Sequence, residues 1–285
     1  MLKTGASIAA LLGPIALGSG TSSAAPILAP ALASFAVLGA VTGVTNVATS
    51  AIHGNLGAAP SLAVGGGYSF TAGSLQPNTL LAQQAQLDLD AAILAVNGMG
   101  PGTTIGSNLT GTIFPGVYTV PAAATNLSGA LVLDGGGSNT AVWGFLCPSA
   151  LITGPTGTVT VTNVGNGSGV GLYWSVGSAA TLNGNTFAGN VLAHDLISSD
   201  GDLTLDCGRL LSAETQVTLI HDSISLGCAG TGFQTSGGFD QGVNTGFGGQ
   251  GQAVPEPATL LLLGFGLTGL LAASAARTKV RTRQD

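Results

Sequence analysis

The sequence predicts a mainly β fold, a β-solenoid with one long helix beside it. Three observations point there. Short Thr/Val/Leu runs such as Ala130-Leu-Val-Leu-Asp134, Thr158-Val-Thr-Val-Thr162 and Asp202-Leu-Thr-Leu-Asp206 alternate between Gly and Asn breaks, so each strand turns one face inward and a hydroxyl or carboxylate face outward. Phe187-Ala-Gly-Asn-Val-Leu-Ala193 aligns with Asp206-Cys-Gly-Arg-Leu-Leu-Ser212, placing Gly189 over Gly208 and Leu192 over Leu211; a 19-residue offset suits one coil of a solenoid. Only one segment, 77–97, breaks the β pattern. A β-sandwich would explain the strands equally well but not the offset.

Residues 1–25 have the form of a secretory signal peptide: Lys3, the apolar stretch Ile8 to Leu17, then small residues up to Ala24-Ala25 for cleavage. In 77–97, Leu80, Leu87, Ala91 and Leu94 fall at helical spacing and form the stripe expected to bury against the body. Asn78 or Thr79 caps its start, and Gly98 stands at the C′ position. Hydrophobic residues inside the coils would stack into a narrow core needing few aromatics.

Cys207 and Cys228 lie about one coil apart, a spacing that favours a disulfide pinning the end of the solenoid, although sequence alone leaves connectivity open. Cys147 is expected to be a small buried hydrophobe. Residues 229–253, Gly/Gln/Ser-rich and aperiodic, read as a flexible linker. Beyond it comes Pro255-Glu256-Pro257, an uncharged span over 258–276 long enough to cross a bilayer as a helix, and then Arg277, Lys279, Arg281 and Arg283. This tail, 254–285, resembles the PEP-CTERM sorting signal. The resemblance implies export, transient anchoring in the inner membrane, recognition by an exosortase, and a final place at the cell surface or outside it.

Composition excludes several functions. Arg209 is the only Lys or Arg between Lys3 and Arg277, so no basic patch exists for nucleic acid and no side-chain cation for an anionic substrate. Asp195, Asp200, Asp202 and Asp206 are the only acidic cluster, with Asp200 and Asp202 expected on one side of a strand. They lack the cations a polysaccharide lyase site would need and the further ligands of a calcium loop. His194-Asp195 and His221-Asp222, read as strand neighbours, would point to opposite faces. No enzyme, cofactor or metal is expected.

Ser34-Phe-Ala-Val-Leu-Gly-Ala40, Val44-Thr-Asn46 and His53-Gly-Asn-Leu-Gly-Ala-Ala-Pro60, followed in order by Pro115-Gly-Val-Tyr-Thr-Val120, Leu127-Ser-Gly-Ala-Leu-Val-Leu-Asp-Gly135, Leu172-Tyr-Trp-Ser-Val-Gly-Ser-Ala-Ala-Thr-Leu182, Thr186-Phe-Ala-Gly-Asn-Val-Leu-Ala193 and Gly208-Arg-Leu-Leu-Ser212, resemble the ice-binding-like (DUF3494) family over about residues 30–228. The resemblance implies a discontinuous right-handed β-solenoid of triangular cross-section with a helix alongside, and binding to an ice crystal surface through a flat face of Thr-Ala/Gly-x-Thr/Asn segments. Thr153-Gly154-Pro155-Thr156 matches that pattern, and Asn183-Gly184-Asn185-Thr186 matches with Asn first. Ser199-Asp200-Gly201-Asp202 and Ser212-Ala213-Glu214-Thr215 stand at the equivalent places, with Asp200, Asp202 and Glu214 where the pattern has small neutral groups. The candidate face is therefore Thr153, Thr156, Asn183, Asn185, Thr186, Ser199 and Thr215. The alternative is a structural matrix or cell-surface protein associated with exopolysaccharide, which carboxylates projecting from that face would favour.

Overall fold

The computed structural model describes residues 26–121, 124–183, 185–228 and 237–241. The expected signal peptide (1–25), the sorting tail (254–285) and the span 258–276 lie outside these residues. Among the described residues no helix is long and apolar enough to cross a membrane.

A short helix, α1 (Pro30–Ala33), opens the body, followed by β1 (Phe35–Gly39), β2 (Gly43–Asn46), β3 (Ser50–His53), β4 (Asn55–Ala58), β5 (Tyr68–Ala72) and β6 (Leu75–Pro77). Then comes α2 (Leu80–Asn97). The rest winds through β7 (Thr103–Thr104), β8 (Gly111–Ile113), β9 (Gly116–Thr119), β10 (Thr125–Leu127), β11 (Ala130–Asp134), β12 (Val142–Cys147), β13 (Leu151–Thr153), β14 (Thr158–Thr162), β15 (Gly171–Val176), β16 (Ala180–Leu182), β17 (Thr186–Ala193), β18 (Ile197–Ser199), β19 (Thr204–Ser212), β20 (Gln216–Leu219) and β21 (Ser223–Ser225).

These strands stack in three parallel ladders. The covered ladder runs β6-β4-β1-β19-β17-β15-β12-β9-β7. The narrow ladder is the six-stranded sheet β10-β13-β16-β18-β20-β2. The broad ladder runs β5-β3-β21-β19-β17-β14-β11-β8. The long strands β17 and β19 bend from broad to covered ladder at Gly189 and Cys207-Gly208. A Cβ on Gly208 would lie 2.1 Å from the Gly189 carbonyl oxygen, so both layers need glycine at this corner. Gly189 and Leu192 do pair with Gly208 and Leu211. Before the bend the register differs from the sequence alignment: Phe187 faces Leu205 rather than Asp206, because Cys207, at φ 56°, is an extra residue in the turn.

The first layer (β1, β2, β3) sits on the last (β19, β20, β21) in all three ladders. Cys207 and Cys228 are joined (S–S 2.05 Å), but they close one layer inside the stack and do not pin its end, since β1–β3 cover that layer. From β6, α2 carries the chain back to the far end. Its 18 residues span about 27 Å at 1.5 Å per residue, which matches roughly six strand spacings from β6 to β12 at ~4.8 Å.

Helix α2 begins at Leu80, because Pro77 closes β6. The Thr79 hydroxyl caps it by accepting from the Ala82 N–H at 3.2 Å. At the other end Gly98 has φ −70°, so the helix stops without a left-handed glycine. Its buried stripe is Ala82, Ala85, Leu89, Ala92 and Val96, while Leu80, Leu87 and Leu94 are 65–83% exposed. This reverses the expectation from side-chain size. The strands beneath already supply bulk through Phe35, Leu38, Tyr173, Leu192 and Leu211, so the helix approaches with its alanines. Inside the stack, Tyr118, Phe145, Trp174 and Phe187 form a column with ring centroids 4.1–5.6 Å apart. The core therefore concentrates the few aromatics the chain has. Cys147 is buried and unpaired.

Within the expected linker, 229–253, the described residues are 237–241. Residues 237–241 dock on the body, with Phe239 1% exposed in the main core.

Candidate functional site

Each narrow-ladder strand is only three or four residues long, and alternation leaves one outward position in its middle. Thr125 and Leu127, Ala180 and Leu182, and Val217 and Leu219 point inward and are buried. The outward residues are in register from strand to strand: Asn126, Ile152, Thr181, Ser198, Thr218 and Thr45. Asn108 continues the rank through a bridge to Asn126. The sheet has no bulge, so the repeat should hold near the ~4.8 Å strand spacing. Every member is neutral, and every member but Ile152 is a hydroxyl or amide. Sequence reasoning missed this rank, although its trace is there: Ala180-Thr-Leu182, Val217-Thr-Leu219 and Val44-Thr-Asn46 each set a Thr after an inward apolar residue.

The sequence-predicted residues do not form one face: all but Thr215 lie at or beside the corner between the narrow and broad ladders, whereas Thr215 lies between β19 and β20, at the corner between the covered and narrow ladders. Thr153 is 1% exposed and its Oγ1 accepts the Asn183 N–H (2.8 Å) of the next layer. Ser199 is 4% exposed; its hydroxyl donates to Asp222 Oδ2 (2.5 Å) and accepts the Ile220 N–H (3.1 Å) of the next layer. Both hydroxyls therefore close a corner and cannot meet a crystal surface. Register explains the misreading: Thr153 pairs with Leu182, not Asn183, so the two motif segments are offset by one residue. Thr156 is exposed, with its hydroxyl donating to the Ser128 carbonyl (2.8 Å). Asn185 is exposed, whereas Asn183 and Thr215 are half-buried. Thr186 is half-buried and belongs to the broad ladder.

There it joins a second rank, Ala130, Thr158, Thr186, Thr204, Ser223, Ala51 and Ser69. This ladder is less regular, with a register shift between Ile52 and His53. It also carries Asp206 and His53 in the rank beside the first. Burial raises the Asp206 carboxyl above its ordinary value.

The other acids of the sequence cluster, with Asp222 and Glu214, are corner groups. Asp200 and Asp202 do not lie on a strand; Asp202 has φ 56° and its Oδ1 lies 2.6 Å from His221 Nδ1. Asp222 is buried; burial raises its carboxyl, while the Ser199 hydroxyl and the Ile220 and Leu203 N–H groups favour its charge. At the corner between covered and narrow ladders, His194 contacts both Asp195 (3.5 Å) and Glu214 (3.3 Å). Sequence neighbours meet here because the segment is a turn, not a strand. These three are the one group among the described residues that offers three potential metal ligands, and all are at least 44% exposed on their side chains. A nearby cavity of about 530 Å³ is lined by Asn97, Thr119, Cys147, Ser175 and His194 among others. Burial pushes the Cys147 thiol up to about 11, too high for a nucleophile at neutral pH.

The Ice-binding-like family profile matches residues 38–225, and the PEP-CTERM protein-sorting motif matches 253–277. The chain is 32% identical over 248 residues to an ice-binding protein of Nostoc sp. (strain HG1), covering 85% of this chain and 84% of the relative. Among solved structures, it is similar to an ice-binding protein from an Antarctic biological consortium (TM-score 0.64, 29% identity, 72% of this chain and 93% of that one). It is also similar to one from the ascomycete Antarctomyces psychrotrophicus (TM-score 0.57, 29% identity, 69% and 96%).

Proposed function

Because the chain belongs to the ice-binding-like family, we propose that it is an exported ice-binding protein whose narrow ladder adsorbs to the crystal. The observation that carries this reading is the registered neutral rank from Asn126 through Thr181 and Ser198 to Thr45. Short hydroxyl and amide groups at a fixed repeat hold ordered water at little side-chain entropy cost, and that water merges with the ice lattice. Adsorbed molecules then force ice to grow between them with costly curvature. Thr156 and Asn185, exposed at the adjoining corner, extend the surface. On this reading the three parallel ladders are the sides of a discontinuous right-handed solenoid of triangular section, the form the family resemblance implies.

The sorting motif supports handling by an exosortase after export through a signal peptide at 1–25. Display at the cell surface or release from it follows. No observation favours an exopolysaccharide-bound matrix role. The purified protein is expected to arrest grain growth in an ice recrystallisation assay at micromolar concentration. Growth indistinguishable from a serum albumin control would refute the function.

A further inference from the structure

Arg209, the only cation in the described body, is 1% exposed. Its guanidinium donates to the Ala33 carbonyl (2.7 and 3.2 Å), Gly237 carbonyl (2.9 Å), Gly238 carbonyl (3.1 Å) and Asn190 Oδ1 (2.8 Å), and lies 3.6 Å from the Asp240 carboxylate. Asn190, one layer on and in register with Arg209, is fully buried and turns its amide N–H groups to the Gly238 (3.2 Å), Phe239 (2.9 Å) and Leu172 (3.1 Å) carbonyls. In the next layer the Leu172 N–H donates to the Phe239 carbonyl (3.0 Å), the Gln241 N–H to Val170 (3.2 Å), and the Tyr173 hydroxyl to the Gln241 carbonyl (2.9 Å).

Residues 237–241 thus contact β19 and β17 through Arg209 and Asn190 and then run antiparallel to the start of β15, with Asp240 bridged to Gly171. Ladder hydrogen bonds join only adjacent layers; this segment bonds to β19 and β15, which are not neighbours. The seat is selective. Gly238 has φ 87°, and a Cβ there would lie 2.8 Å from both Arg209 Nη1 and the Leu226 carbonyl oxygen. Phe239 fills an apolar socket, and Asp240 faces the guanidinium.

We propose that Arg209 and Asn190 form a dedicated slot for the chain's own 237–241 segment, and that this staple is where a pull on the C-terminal tail enters the body. Without it, tension would reach Cys228 directly. With it, tension is shared as shear across three layers of the covered ladder, and neither open ladder is disturbed. The use of the staple rests on the surface-display reading; the contact itself does not.

The test uses the full chain and its Gly238→Val and Asp240→Asn variants, which alter the strap and leave the slot intact. Hydrogen exchange of the Leu172 and Gln241 amides is expected to accelerate about 100-fold in Gly238→Val, the scale of a lost local opening equilibrium, and less in Asp240→Asn. The Thr181 and Thr218 amides and ice activity stay unchanged. Pulled between its termini, the wild type should show an early rupture releasing on the order of 40 Å, the extended length of 229–241, and Gly238→Val should lack it. Free-peptide exchange of Gln241 in the wild type, or the same rupture in both proteins, would overturn the proposal. Because exchange and force are read apart from ice, failure here leaves the ice assay untouched, and the reverse also holds.

Discussion

The covered and narrow ladders are built from the same stacked layers, yet they carry opposite residues outward. On the covered side the outward positions hold Phe35, Tyr173, Leu192, Asn190 and Arg209, all fully or almost fully buried under α1, α2 and residues 237–241. On the narrow side they hold Asn126, Thr181, Ser198, Thr218 and Thr45, which are exposed or half-buried. Strand geometry is common to both, so the cover decides the chemistry. A sealed ladder takes large and even charged groups, and an open one keeps short neutral groups that order water without collapsing on one another. On the proposed reading stability and ice recognition sit on different sides, and substitutions should separate them.

The largest effect is expected at Arg209→Met. It leaves Asp240, Asn190 and three carbonyls without their donor, and breaking a buried pair in this way costs about 3–5 kcal/mol. Denaturant unfolding measures the loss, while ice activity per folded molecule should persist. Smaller effects come from the corner hydroxyls. Thr153→Val strands the Asn183 N–H, and Ser199→Ala removes a hydroxyl donor from the buried Asp222, which keeps the Ile220 and Leu203 N–H groups. Each is expected to cost about 1–3 kcal/mol without changing recrystallisation inhibition. Loss of ice activity at an unchanged melting temperature would return these two residues to the surface and break the comparison.

Much of this division is legible in the sequence, and the failures have physical reasons. The glycines at 189 and 208 announce the layer offset because a backbone approach that close tolerates no side chain. Elsewhere the offset varies, as Val142 pairs with Gly171 but Tyr173 with Asn190, so no single period runs along the chain. The Cys207 and Cys228 spacing is one layer, but the position of that layer inside the stack depends on β1–β3 returning to it. Leucine spacing marked the wrong side of α2, since alanine suits the closer contact. A threonine near a corner looks alike whether it faces solvent or accepts the next layer's N–H, and only register tells them apart. Gly238-Phe239-Asp240 is visible as an aromatic and an acid within a Gly-rich run, but its receptor, the buried Arg209, is apparent only in three dimensions.

The narrow ladder, and not the broad one, is proposed to meet ice. The most direct measurement compares recrystallisation inhibition by Thr181→Tyr/Thr218→Tyr with that by Thr158→Tyr/Thr204→Tyr, each surface pair being expected to shift stability by only about 0.5 kcal/mol. The first pair is expected to abolish activity and the second to retain it. Activity that survives on the narrow-ladder variant and vanishes on the broad-ladder one would contradict the proposal.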